Sequence, residues 1–126
     1  MIFGRVQAWV LPSDLSAAPQ ARRHIADACA GLPEETVYTA RLLVTELVSN
    51  AVLHGRGTVM LSVAADSSGV RVEVHDESPQ PPVILPRPPL AEHGAGLRLV
   101  SALAGSWGTD PLGEGRSGKR VWFTLP

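Results

Sequence analysis

Residues 42–55 read LLVTELVSNAVLHG, a run apolar enough to require burial yet interrupted by Glu46 and Asn50, a carboxylate and an amide one helical turn apart. Its periodicity predicts a helix from Glu34 to His54, opened by two acidic residues at the positive end of the dipole and closed at Gly55. At 3.6 residues per turn, Arg41, Thr45, Ser49 and Arg56 gather with Val52 on one narrow stripe that can face water. Glu46 and Asn50 lie roughly 100 to 140° around from the centre of that stripe, flanked by Leu42, Leu43 and Leu53. An unpaired carboxylate and amide are costly in such surroundings, so both need partners. A ligand pocket would supply them. So would a buried network with a neighbouring arginine or backbone group, and the pair alone leaves both readings open.

The rest of the chain reads as short elements around this helix. Residues 3–10 alternate weakly, as a first strand ended by Pro12 and the Ser13-Asp14 turn signal. Pro19 suits the first turn of a helix running to about Ala30, stopped by Gly31 and Pro33. Residues 58–65 and 70–75 are β-branched and alternating, joined by Asp66-Ser67-Ser68-Gly69 as a hairpin. Six of the 11 prolines fall between Pro79 and Pro89, which predicts an extended loop. Helical periodicity returns over Gly96–Ala104. Residues 105–110 are too glycine-rich to assign, and Arg120–Leu125 alternates as a last strand with Val121, Phe123 and Leu125 on one face.

With 126 residues the chain is expected to be a single domain, large enough to bury a core without staples. A net charge of −1 gives no electrostatic reason to expect nucleic acid or an anionic membrane as partner. Cys29 is the one cysteine, so it has neither a disulfide partner nor a companion for a zinc site, and reads as a small helix residue. No apolar run approaches the roughly 20 residues that span a bilayer, and no long apolar leader opens the chain, so the expected location is the cytoplasm.

Two further places can carry chemistry. Val70, Val72, Val74 and Asp76 share one face of the third strand, with Arg71, Glu73 and His75 on the other. Asp76 thus continues the buried side at the strand's carboxyl end, where a carboxylate can accept a hydrogen bond from a group such as a purine amine. The plainer alternative is that the strand has ended and Asp76 opens the Asp-Glu-Ser-Pro turn. HGAGLRLV, residues 93–100, sets two glycines before a helix, where free amides and the dipole favour anions. No parallel strand leads into it, so it is not a dinucleotide fingerprint, and Gly113–Lys119 lacks the spacing of a P-loop. The histidines at 24, 54, 75 and 93 show no paired metal-ligand spacing, though His54 and His93 are candidates to line a pocket.

Taken in order, these elements resemble the ATP-binding domains of gyrase, heat-shock chaperones and histidine kinases, the GHKL or Bergerat fold. TELVSNAVLHG resembles that family's N box, Asp76 its G1 aspartate and HGAGL its G2 glycines, with the proline-rich stretch in the place of the ATP lid. The likeness is greatest to the compact anti-sigma factor serine/threonine kinases and extends over essentially the whole chain, including its GKRVWFTLP ending. It implies an α/β two-layer sandwich with one mixed, largely antiparallel sheet and helices on a single face. It also implies ATP and Mg²⁺ as cofactors, with Glu46 as general base, Asn50 as magnesium ligand and Asp76 on the adenine amine. Ser78 would lie in the nucleotide site, and Gly94, Gly96 and the amides of Leu97 and Arg98 would cradle the phosphates. A sigma factor and an anti-anti-sigma protein would be the partners, and a homodimer is compatible with the likeness.

The chain departs from the pattern at defined positions. Ser78 and Gln80 stand where the G1 box carries glycines, a substitution expected to stiffen the hinge of the lid. Ala91, Glu92 and His93 offer no fixed cation just before G2, where these kinases can place an arginine, which leaves Arg87 or Arg98 to substitute. Lys119 follows Gly118 where relatives carry a threonine. Two functions from different classes follow: a serine/threonine protein kinase that also sequesters a sigma factor, and a non-catalytic switch that binds nucleotide or only a protein. Phosphate transfer to a cognate substrate separates them. A sensor histidine kinase is a poorer fit, since 126 residues leave no room for a dimerising hairpin with a phosphoacceptor histidine.

Overall fold

The computed structural model describes residues 5–80, 96–113 and 115–126. Most of the proline-rich stretch, together with His93 and Gly94, lies outside them. In chain order the elements are β1 (Val6–Leu11), α1 (Ala17–Ala28), α2 (Glu34–His54), β2 (Val59–Asp66), β3 (Gly69–Asp76), α3 (Gly96–Leu103), β4 (Ser106–Pro111) and β5 (Lys119–Leu125). The strands form one five-stranded sheet in the order β1-β2-β3-β5-β4. Every pairing among the described residues is antiparallel. The α/β two-layer sandwich follows: α1 packs on β1 and β2, α2 on β2, β3 and β5, and α3 on α2 and β4.

Alternation builds the core. Val59, Leu61 and Val63 of β2, Val70, Val72 and Val74 of β3, and Val121, Phe123 and Leu125 of β5 are buried and point to the helical layer. They meet Ala17, Ala21 and Ile25 of α1 and Ala40, Leu43, Val44, Leu47, Val48 and Ala51 of α2. Phe123 is the largest fully buried side chain, and burying one of its size is worth about 2 to 3 kcal/mol. Cys29, at the carboxyl end of α1, belongs to this core, and burial pushes its thiol up from the ordinary range, as suits a packing residue.

The hairpin predicted at Asp66–Gly69 is present, with Asp66 paired to Gly69 across the turn. Gly69 adopts φ 141°, which a side chain would strain. Strand β4 occupies the stretch that sequence left unassigned. Gly108 faces Trp122 of β5, and a side chain at 108 would sit 2.7 Å from the indole. The glycine that obscures the strand in sequence therefore makes room for the neighbour's aromatic ring.

Candidate functional site

Helix α2 has three faces rather than two. Its core face is buried, Arg41 and Tyr38 are exposed, and between these lie Leu42, Glu46 and Asn50, all half-buried, with Leu53 beyond them half exposed. The polar pair thus stands at the rim of the core. The desolvation cost is lower than full burial would impose. The Asn50 amide makes no hydrogen bond among the described residues.

The carboxyl end of α2 runs against the end of β3. Gly55 caps the helix with φ −85°, a value any residue can adopt, so its small size matters for another reason. A Cβ there would run into the Ala51 carbonyl oxygen of the helix itself and lie 2.7 Å from Cγ of Asp76 and 2.9 Å from its Oδ2. The loop after the helix is tied to the same strand end: the Glu77 amide donates to the Arg56 carbonyl at 2.8 Å, and the Thr58 amide donates to the Glu77 carboxylate at 2.5 Å.

Asp76 is only 3% exposed. The strand runs through Asp76, and the same residue anchors the turn that follows. Its Oδ1 accepts the Ser78 amide at 2.7 Å, which forms the turn, while the carboxylate itself stays on the core face of β3. Ser78 is buried as well, and its hydroxyl accepts the Gln80 amide at 3.3 Å.

The partner of Asp76 is Lys119. These residues stand opposite each other in the β3–β5 ladder, and Nζ lies 3.1 Å from Oδ1 and 3.0 Å from Oδ2. Lys119 is 8% exposed, which makes this a buried ion pair. Gly118 precedes it with φ 131°, and a side chain there would run into the Asp76 carbonyl oxygen and the Leu112 side chain. Sequence reasoning noted Lys119 only as a departure from a pattern. The signal that finds it is phase: Lys119 alternates with Val121, Phe123 and Leu125, so a lysine falls on the buried side of a strand and requires a countercharge.

Of the glycine-rich segment, Gly96, Leu97 and Arg98 form the first turn of α3, whose backbone packs beside α2. Gly94 lies outside the described residues. The structure thus brings Asp76, Ser78, Lys119 and Gly55 into one cluster at the carboxyl end of α2, with Glu46 and Asn50 further back along that helix. Among the described residues, no three His, Cys, Asp or Glu side chains gather as a metal cluster, and no helix is long and apolar enough to cross a membrane. His24 stacks on Trp9 at 4.3 Å, and His75 bonds Glu73 at 3.0 Å on the outer face of the sheet, so both are committed elsewhere.

This fold, with a buried aspartate closing β3 beside the end of α2, is that of an ATPase domain of the GHKL kind. Residues 11–125 match the histidine kinase-like ATPase domain, and the chain belongs to that family. Among solved structures it is similar to the RsbU and RsbW domains of Rv1364c from Mycobacterium tuberculosis, with 21% identity and a TM-score of 0.68 over 97% of this chain and 33% of that one. The chain therefore spans about a third of that protein's length. It is also similar to the histidine kinase domain of the E. coli osmosensor EnvZ, with 17% identity and a TM-score of 0.47 over 100% of this chain and 90% of that one. No curated protein matches the chain.

Proposed function

We propose that this protein is a cytoplasmic anti-sigma factor serine/threonine kinase, which transfers the γ-phosphate of ATP to an anti-anti-sigma protein and sequesters a sigma factor. The observation that carries the reading is the Asp76 carboxylate, buried at the end of β3 in a chain of the histidine kinase-like ATPase family. The N-box likeness around Glu46 and Asn50, and the RsbW domain named in the mycobacterial structure, support the narrower assignment.

In this reading Asp76 accepts the exocyclic amine of adenine, with Ser78 shaping the turn that holds the carboxylate. The Asn50 amide, without a hydrogen bond among the described residues, is suited to hold Mg²⁺ through its oxygen. Backbone amides at Gly94, Gly96, Leu97 and Arg98 receive the phosphates at the start of α3. Bound Mg-ATP supplies the phosphoryl group and the neutralisation of its charge. Glu46 then acts as the base that takes the proton from the substrate hydroxyl.

Calorimetric titration with ATP and ADP, with and without Mg²⁺, tests the binding half. Millimolar ATP should bind with a magnesium dependence that Asn50→Ala removes; an equal loss with and without metal would make Asn50 a packing residue. Single-turnover transfer to a cognate anti-anti-sigma protein tests the chemistry. Glu46→Gln should slow transfer by about 10²- to 10⁴-fold with ATP affinity retained. A second reading, a non-catalytic switch, is favoured by one observation: the sequence Ala91-Glu92-His93 offers no fixed cation just before Gly94 to hold a γ-phosphate. Binding of ATP without transfer to any such protein decides for the switch.

A further inference from the structure

We propose that Lys119 reads the nucleobase: its ammonium, held beside the Asp76 carboxylate, donates a hydrogen bond to N1 of adenine. The inference rests on the assignment of Asp76 to the adenine amine and adds a second contact to it.

Of the 11 lysine and arginine residues in the chain, Lys119 is the only lysine. It is also buried, in the place where a charge is costliest to keep. An ammonium carries three N–H donors and accepts nothing. Two of them face Oδ1 and Oδ2 of Asp76, at 3.1 and 3.0 Å. The third meets no acceptor among the described residues.

The carboxylate is nearly saturated in turn. Its Oδ1 takes both the Ser78 amide and Lys119, while Oδ2 takes Lys119 and keeps one further acceptor position. The pair therefore presents one acceptor beside one donor, on a rigid ladder where Asp76 and Lys119 stand directly opposite each other. The Watson–Crick edge of adenine is the complement, an amine donor at C6 beside the acceptor N1. With the carboxylate on the amine, the ammonium falls opposite N1. A 6-oxopurine held in the same pose sets its carbonyl against the carboxylate and its N1–H against the ammonium, so both contacts become repulsive. Arginine would serve poorly here, because its planar fork engages both carboxylate oxygens with parallel donors and directs the rest within its own plane.

The test uses 1-deaza-ATP, in which N1 is replaced by C–H. In calorimetric titration the parent should bind it about tenfold more weakly than ATP, or worse, as expected for a lost charge-assisted hydrogen bond. Lys119→Met keeps the stem and removes the donors, and should bind the two nucleotides within about twofold of each other. That variant leaves Asp76 without its cation and can lose stability, so the parent supplies a second measurement. As the only lysine, Lys119 gives one ¹⁵Nζ side-chain signal in lysine-labelled protein. That signal should move more on adding ATP than on adding 1-deaza-ATP. Equal affinities for the two nucleotides in the parent, or equal movement of the signal, overturn the proposal while leaving Asp76 as the amine acceptor. If neither nucleotide binds at millimolar concentration, the reading of the pocket as an ATP site falls with it.

Discussion

Strands β3 and β5 carry charge on both faces, and the two faces use it differently. On the outer face Glu73 accepts Arg71 Nε at 2.9 Å and bonds His75 at 3.0 Å, with Arg120 at 3.9 Å and the Arg71 guanidinium lying over the Trp122 ring at 4.2 Å. One carboxylate there is shared by two guanidiniums and an imidazole, all partly exposed, so water can replace a partner. On the inner face a single carboxylate meets a single ammonium, both largely buried, and neither can lose the other cheaply. The same two strands thus hold a screened, redundant cluster and a buried, exclusive pair. Only the second constrains what can occupy the site.

The sharpest way to break this contrast is Asp76→Asn. It leaves the Lys119 ammonium buried without a countercharge, and should lower stability to urea by about 3 to 5 kcal/mol. Adding Lys119→Met to that variant should restore much of the loss, since removing both charges avoids the uncompensated one. If Asp76→Asn unfolds no more easily than the parent, the inner pair is as dispensable as the outer cluster. Because the single variant strikes the fold as well as the ligand, nucleotide affinity at this position is best compared in the charge-free double variant.

Gly55→Ala comes next in size. The added methyl carbon would press on the Ala51 carbonyl oxygen and on the Asp76 carboxylate, at 2.7 Å from Cγ, and overpacking of this kind costs about 1 to 3 kcal/mol. Chemical denaturation should register the loss. A neutral result would mean that the end of α2 can move away from the pair.

Glu73→Gln should have the smallest effect, about 1 kcal/mol or less at neutral pH, because the carboxylate's partners are several and partly exposed. The hydrogen bond from His75 first, and then Arg71, hold the Glu73 carboxyl down to about 2. A depressed carboxylate contributes stability above its unfolded value and loses it as pH falls through the folded one. The gap between parent and Glu73→Gln should therefore be present at pH about 4.5 and close between there and pH 2. A gap that widens toward low pH would reverse the sign assigned to this group.

Much of the fold was legible because the core strands are β-branched and alternate, and because α2 carries a long apolar run. Strand β4 was not. Ser106-Trp107-Gly108-Thr109-Asp110-Pro111 has little strand propensity of its own, and the partners that hold it are remote: the β5 backbone and Trp122, whose Nε1 donates to Asp110 at 3.0 Å. At the site, Asp76 could be placed on the buried face from its spacing alone. Its partner could not, since Lys119 lies 43 residues away and only strand register brings the two together. The reason for Gly55 was equally hidden. Sequence reads a glycine after a helix as a stop signal, whereas here its lack of a side chain lets a helix end rest on a carboxylate.

The buried lysine also gives the molecule a built-in chemical gauge. An amine-reactive reagent finds one ε-amino group on the whole chain, and in the closed structure that group lies against Asp76 at 8% exposure. Its modification must wait for the β3–β5 end to open, so the labelling rate is the product of the intrinsic reactivity and the fraction of time spent open. Followed against temperature, denaturant or added nucleotide, that rate measures the breathing of this one corner of the sheet separately from the unfolding of the rest.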